Sequence, residues 1–184
     1  MADDDDDLAW TVAVVGGRTK AEVVLAYGGD PERPIGSLRF DATFDLVPED
    51  DLGRYFFIQT LTDGDHVVVL ENNGWAGADA GLACRVSRDG GTFFSVYWSP
   101  SGTRIVQAAD GVLVADFDPL FVGQPAGAGD TYPAWLSETV FGAESLRSVM
   151  LEAMERQTGV AVDRDWLTRE LKAWRVPGIH ENAV

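Results

Sequence analysis

The sequence predicts an α+β domain: an antiparallel β-sheet of about five or six strands, with helices packed on it and a helical C-terminal segment. Three observations carry that expectation. Apolar runs with strand character follow one another through residues 55–117, joined by short turns containing Asp and Gly. A capping-box pattern, Thr19 followed by Glu22, marks a short helix near the start of the chain. Beyond residue 145, apolar residues recur at helical spacing.

The elements follow in order. Asp3 to Asp7 repel one another and have nothing to bury, so residues 1–8 are expected to be a disordered acidic tail. "AWTVAVVGG" (residues 9–17) reads as a strand closed by two glycines. The capped helix comes next, with Val23, Val24 and Tyr27 on one face and Gly28 and Gly29 at its end. Residues 30–53 carry three prolines and many acids with few apolar anchors, which predicts a long loop with a marginal strand near Leu38 to Phe44.

The middle of the chain is the most regular. "RYFFIQTL" and "HVVVLEN" make a hairpin across "TDGD". A Gly-rich turn and a helix follow over residues 74–88. Then "TFFSVYWS", "TRIVQAA" and "VLVADFD" form an antiparallel meander. In the first of these, Phe94, Val96 and Trp98 alternate with Phe93, Ser95 and Tyr97, so both faces carry aromatics and the strand should be central and covered on both sides.

A Pro/Gly-rich connector (residues 118–135) leads to a helix with Leu146, Val149, Met150, Ala153 and Met154 on one face and Gly159 as its stop. A last helix is expected over "DRDWLTRELKAW", capped by Asp163, with Trp166, Leu167, Leu171 and Trp174 as its apolar face. The resulting organisation is one domain. Residues 9–118 form the sheet core, residues 119–175 a connector and helices packed on it, and residues 176–184 a tail.

Composition narrows the function. Thirty acidic residues against fourteen basic ones give a formal net charge of −16. Such a field repels phosphate, which disfavours nucleic acid and anionic lipid and favours a basic partner. There is no run of about 18 apolar residues to span a membrane, and the N-terminus is acidic where a secretory signal is basic and then apolar. The single cysteine, Cys84, excludes an internal disulfide framework or a cysteine-rich zinc site. These features point to the cytoplasm. Lys20 and Lys172 are the only lysines, and with abundant Ala, Gly, Asp and Val this suggests a GC-rich bacterial genome.

The motifs offer little chemistry. Gly74, Gly77 and Gly81 do not match the dinucleotide spacing, and no Lys-Ser/Thr pair follows them as a phosphate loop requires. The turn therefore reads as structural, with Asn72, Asn73 and Gly74 supplying positive φ and Trp75 seating the following helix on the sheet. Cys84 would need a nearby histidine to act as a nucleophile, and the chain has only His66 and His180. No G-x-S-x-G elbow is present, so no catalytic residue and no cofactor site is assigned.

Asp116 and Asp118, in "VADFDPLF", are the candidate metal ligands, a D-x-D pair expected to project on one side of a strand end. Asp63, Asp65, Asp89 and Asp110 flank glycines and read as turn residues. Glu71, leaving an apolar strand, would need a partner such as Arg85 or Arg88 if buried.

The stretches "WTVAVVGGRTKAEVVLAYGG", "LENNGWAGADAGLACRVSRDGGTFFSVYWS", "ADGVLVADFDPL" and "TGVAVDRDWL" resemble a family of uncharacterised actinobacterial proteins. The resemblance covers most of the chain, with N-G-W-x-G and F-D-P-L its most specific pieces. It implies a shared fold and a bacterial cytoplasmic setting, and no mechanism. The poly-Asp tail and the acidic loop around Asp50 and Asp51 lie outside it.

The functional expectation is a non-enzymatic acidic binding protein, an inhibitor, immunity-type protein or regulator that docks a basic protein. The surface expected to do this contains Asp45, Glu49, Asp50 and Asp51, together with Trp174 and Arg175 as partly exposed anchors. The alternative is a small-ligand or metal-binding domain with minor enzymatic activity that uses Glu71, Asp116 and Asp118.

Overall fold

The computed structural model describes residues 9–51, 53–122, 129–142 and 145–178. The acidic tail expected over residues 1–8 lies outside them, as do His180 and most of the expected C-terminal tail. The fold is α+β, as expected, but the sheet has eight strands rather than five or six. In chain order they are β1 (Trp10–Gly16), β2 (Gly36–Leu38), β3 (Tyr55–Asp63), β4 (His66–Asn72), β5 (Thr92–Ser99), β6 (Gly102–Ala109), β7 (Val112–Phe117) and β8 (Leu171–Pro177). Every neighbouring pair is antiparallel, in the order β2-β8-β3-β4-β1-β5-β6-β7.

β1 is the seam of the sheet. It lies between the β3–β4 hairpin and the β5–β6–β7 meander, pairing Val14 with Val68 on one side and with Phe94 on the other. Period-two alternation sends Ala13 and Val15 to one face and Val12 and Val14 to the other, and both faces are covered. This is why β4 reads as an unbroken apolar run: Val67 and Val69 enter one core, Val68 and Leu70 the other.

The first face is covered by α1 (Lys20–Ala26) and α2 (Ala80–Val86), through Val23, Val24, Tyr27, Leu82, Ala83 and Val86. The capping box forms as expected: the Thr19 side chain accepts from the Glu22 amide, and the Glu22 carboxylate accepts from the Thr19 amide. The second face is covered by α3 (Leu146–Thr158), which buries Leu146, Met150, Ala153 and Met154 and ends at Gly159 with φ 76°.

The last expected helix is largely a strand. Only one turn, α4 (Asp165–Thr168), is helical, and residues 171–177 run as β8 between β2 and β3. In that strand Trp174 and Val176 join the first core, while Leu171 packs on the second. The spacing of Leu167, Leu171 and Trp174 satisfies a helix locally, but hydrogen bonding to β3, which is distant in sequence, overrides it. The expected marginal strand is also shorter, with only Leu38 of that stretch lying in β2.

Candidate functional site

Residues 41–51 join β2 to β3 through two 3-10 turns, Asp41–Leu46 and Glu49–Asp51. Five of these eleven residues are acidic and none is basic. The segment is anchored at its start by one carbonyl. The Phe40 carbonyl accepts from Thr43 Oγ1 at 2.7 Å and from Asn72 Nδ2 at 2.9 Å, and Thr43 is buried beneath the turn. Beyond that anchor the chain faces solvent. Phe44 is 42% exposed and Leu46 40%, and Asp45, Glu49 and Asp50 are exposed beside them.

Asp41 pairs with Arg39 at 2.7 Å and Asp51 with Arg54 at 3.0 Å. Both are surface pairs, worth at most about 1 kcal/mol. Among the described residues, Asp45, Glu49 and Asp50 take part in no ion pair. Phe44 and Val47 also border a groove of about 220 Å³, whose other wall includes Tyr55, Phe57 and Trp75. An unneutralised acidic stretch and exposed apolar side chains thus lie together on one surface.

Trp174 does not belong to that surface. It is 5% exposed in the first core, with its indole N–H donating to the Pro31 carbonyl at 3.2 Å. The expectation of a partly exposed Trp174 and Arg175 pair fails because adjacent residues of a strand face opposite ways. Arg175 is exposed on the opposite face, its guanidinium 3.7 Å from the centre of the Tyr55 ring. It therefore sits beside Tyr55, which borders the groove, while Trp174 ties β8 to the loop that follows α1.

Asp116 and Asp118 are likewise separated. Asp116 accepts from Arg104 Nε at 2.5 Å, whereas Asp118 accepts from Thr103 Oγ1 at 2.6 Å and caps the turn Pro119–Phe121 through the Leu120 amide at 3.0 Å. Arg104 and Thr103 are successive residues of β6, so the two carboxylates reach partners on opposite faces of the sheet. Asp130 also binds Arg104, at 3.3 Å. Burial disfavours the charged guanidinium, but the Asp116 hydrogen bond and the surrounding carboxylates outweigh it and raise its pKa. An arginine thus occupies the place a cation would take, and among the described residues no group of three or more His, Cys, Asp or Glu could hold a metal ion.

Glu71 finds its partner in the backbone. Its carboxylate, fully buried, accepts from the amides of Ala76 at 2.8 Å and Gly77 at 2.7 Å. Thr11 Oγ1 donates to the Gly74 carbonyl at 2.7 Å and Ser95 Oγ to the Gly77 carbonyl at 2.6 Å. Side chains from three adjacent strands therefore fasten this turn to the sheet. Arg85 and Arg88, the partners expected for Glu71, are exposed elsewhere.

The glycines are required by proximity. A Cβ at Gly74 would lie 2.7 Å from Glu71 Oε2, and one at Gly77 would lie 2.8 Å from Thr11 Cγ2. Of the residues expected to supply positive φ here, only Asn73 does so, at 56°. Burial pushes the Glu71 pKa up to about 7, against the opposing pull of the Gly77 and Ala76 amides. The amides of this Gly-rich turn hold the protein's own carboxylate in place of a phosphate. Trp75 is seated as expected, edge-on to Phe56 at 4.5 Å.

Cys84 is a half-buried free thiol on α2, packed against the first core. His66 lies in register opposite Gly16 and Asp63. Asp89 and Asp110 occupy turn positions with φ of 52° and 49°, in keeping with their reading as turn residues. Neither the exposure of Phe44 and Leu46 nor the partners of Arg104 was anticipated from the sequence. The one available signal for the former was two large apolar residues set among acids in a segment otherwise read as loop. Among the described residues, no helix is long and apolar enough to cross a membrane. No protein-family model matches the chain, and no curated protein or solved structure matches it either.

Proposed function

We propose that this chain is a non-enzymatic binding domain of the bacterial cytoplasm that docks a basic protein through residues 41–51, acting as an inhibitor, immunity-type protein or regulator. The observation that carries the reading is the juxtaposition of unpaired Asp45, Glu49 and Asp50 with exposed Phe44 and Leu46 above an apolar groove. The physical division of labour is familiar: like-signed charge steers a complementary partner and speeds encounter, while buried aromatic and aliphatic anchors slow its departure. The whole-chain charge of −16 adds to the steering.

The alternative built on Glu71, Asp116 and Asp118 has less support, because each carboxylate is already engaged by the protein's own donors. We also infer a relationship to the actinobacterial family that the sequence resembles. Its two most specific pieces have structural work here: N-G-W-x-G closes over Glu71, and F-D-P-L forms the Asp118-capped turn.

Capture from cells that make the protein tests the docking proposal. The wild type should retain a basic protein in stoichiometric amount and release it in high salt. Two variants should lose it: Asp45→Asn, Glu49→Gln, Asp50→Asn and Asp51→Asn combined, and Phe44→Ser with Leu46→Ser. Retention by both variants would assign docking to another surface.

A further inference from the structure

A second cleft, of about 490 Å³, opens on the sheet face that carries α3 and α4. Its size falls within the range typical of small-molecule sites. Trp10, Val12 and Leu70 form its sheet side, while Leu151, Val162 and Trp166 come from α3, the connection that follows it, and α4. The lining is thus mainly apolar, with two indoles.

The charged residues of this cleft run against the rest of the molecule. Three arginines, Arg39, Arg147 and Arg164, line it with two acids, Asp41 and Asp163. The chain as a whole has 30 acidic and 14 basic residues, so the balance is inverted here. Arg39 is held by Asp41 at 2.7 Å, and the Arg147 guanidinium stacks 4.5 Å from the Trp98 ring centre and 5.9 Å from that of Trp10. Among the described residues Arg164 makes no ion pair. Asn72 also lines the cleft. It is 8% exposed, its Nδ2 donates to the Phe40 carbonyl, and its Oδ1 has no hydrogen-bond partner among the described residues.

We propose that this cleft is a binding site for a small apolar organic acid: a hydrocarbon or aromatic body seated against Trp10, Leu70, Leu151 and Trp166, with a single anionic group held by Arg164 and Arg39. The apolar lining selects the body, and the arginines select the charge, since a guanidinium recognises an acid group through paired, charge-assisted hydrogen bonds. An oligoanion without apolar surface would leave the indoles and aliphatic side chains uncovered. This site goes beyond the docking proposal: its ligand has the opposite charge, and of residues 41–51 only Asp41 lines this cleft.

A matched pair of fluorescent probes tests it on the full chain. 1-Anilinonaphthalene-8-sulfonate and N-phenyl-1-naphthylamine share one ring skeleton and differ in the anionic group. The sulfonate should bind saturably at one equivalent and at least about tenfold more tightly than the neutral amine. The combined variant Arg39→Gln and Arg164→Gln should weaken the sulfonate about tenfold and leave the amine unchanged; both side chains are exposed, and an unchanged unfolding midpoint would establish that the variant is folded. Equal affinity for the two probes, no saturable binding, or sulfonate binding indifferent to the two substitutions would each overturn the proposal. Sulfonate binding that appears only after removal of residues 1–8 would also overturn it, in favour of occupation by the chain's own acidic N-terminus.

Discussion

Glu71 should make the protein less stable as pH rises from about 4.5 to about 7. Its folded-state pKa is about 7 against an ordinary value of 4.5, so between those values the folded chain retains a proton that the unfolded chain releases. Unfolding is then accompanied by proton loss, and stability falls with increasing pH. The contribution is present in full below about pH 4.5, declines across the window up to about 7, and is gone above it. A shift of this size corresponds to a loss on the order of 3 kcal/mol. Glu71→Gln removes the titration while keeping the shape, though one amide oxygen now serves the two donors of Ala76 and Gly77. Urea unfolding followed by tryptophan fluorescence at pH 5 and pH 8, at fixed ionic strength, isolates the effect. Other carboxylates titrate in both proteins, so the quantity to compare is the change between the two pH values. It should be more negative in the wild type by a few kcal/mol. Parallel pH profiles for the two proteins would refute the reasoning.

Four further outcomes follow from the packing. Gly77→Ala places a Cβ 2.8 Å from Thr11 Cγ2 and 3.0 Å from Glu71 Oε1, and should cost about 1–3 kcal/mol in chemical unfolding. Gly102→Ala, with nothing within 4 Å of the added carbon, should be nearly neutral in the same assay. Trp174→Ala should lower stability by about 3–5 kcal/mol, because the ring belongs to the core and not to a partner surface. Arg104→Gln leaves Asp116 and Asp130 facing each other without their shared cation, and should lower the thermal midpoint by the equivalent of about 1–3 kcal/mol.

What could be read from the chain depended on whether the determining contacts were local. The capping box of α1, the Gly159 stop of α3 and the tight turns of the β3–β4 hairpin and the meander each lie within a few residues of one another, and each was legible. The two-sided burial of β5 was also legible, because both of its faces carry aromatics. β8 was not: its residues fit a helix locally, and only β3 on one side and β2 on the other make it a strand. The same limit applied to Trp174, whose exposure depended on that assignment.

The acidic stretch stood out as part of the candidate site because five acids without a base need no tertiary information. The engagement of Glu71 by backbone amides did, since an amide donor leaves no trace in residue identity. The arginine-lined cleft was hidden for a related reason: Arg39, Arg147 and Arg164 are far apart in sequence and meet only through the packing of α3 and α4 on the sheet.

The most direct test of the docking proposal is the association rate of the captured basic partner, measured against ionic strength. For the wild type the rate should fall steeply as salt rises, and neutralising Asp45, Glu49, Asp50 and Asp51 should both slow association and flatten that dependence. Phe44→Ser with Leu46→Ser should instead raise the dissociation rate with little change in association. Rates independent of salt and identical in all three proteins would contradict the proposal that residues 41–51 form the docking surface.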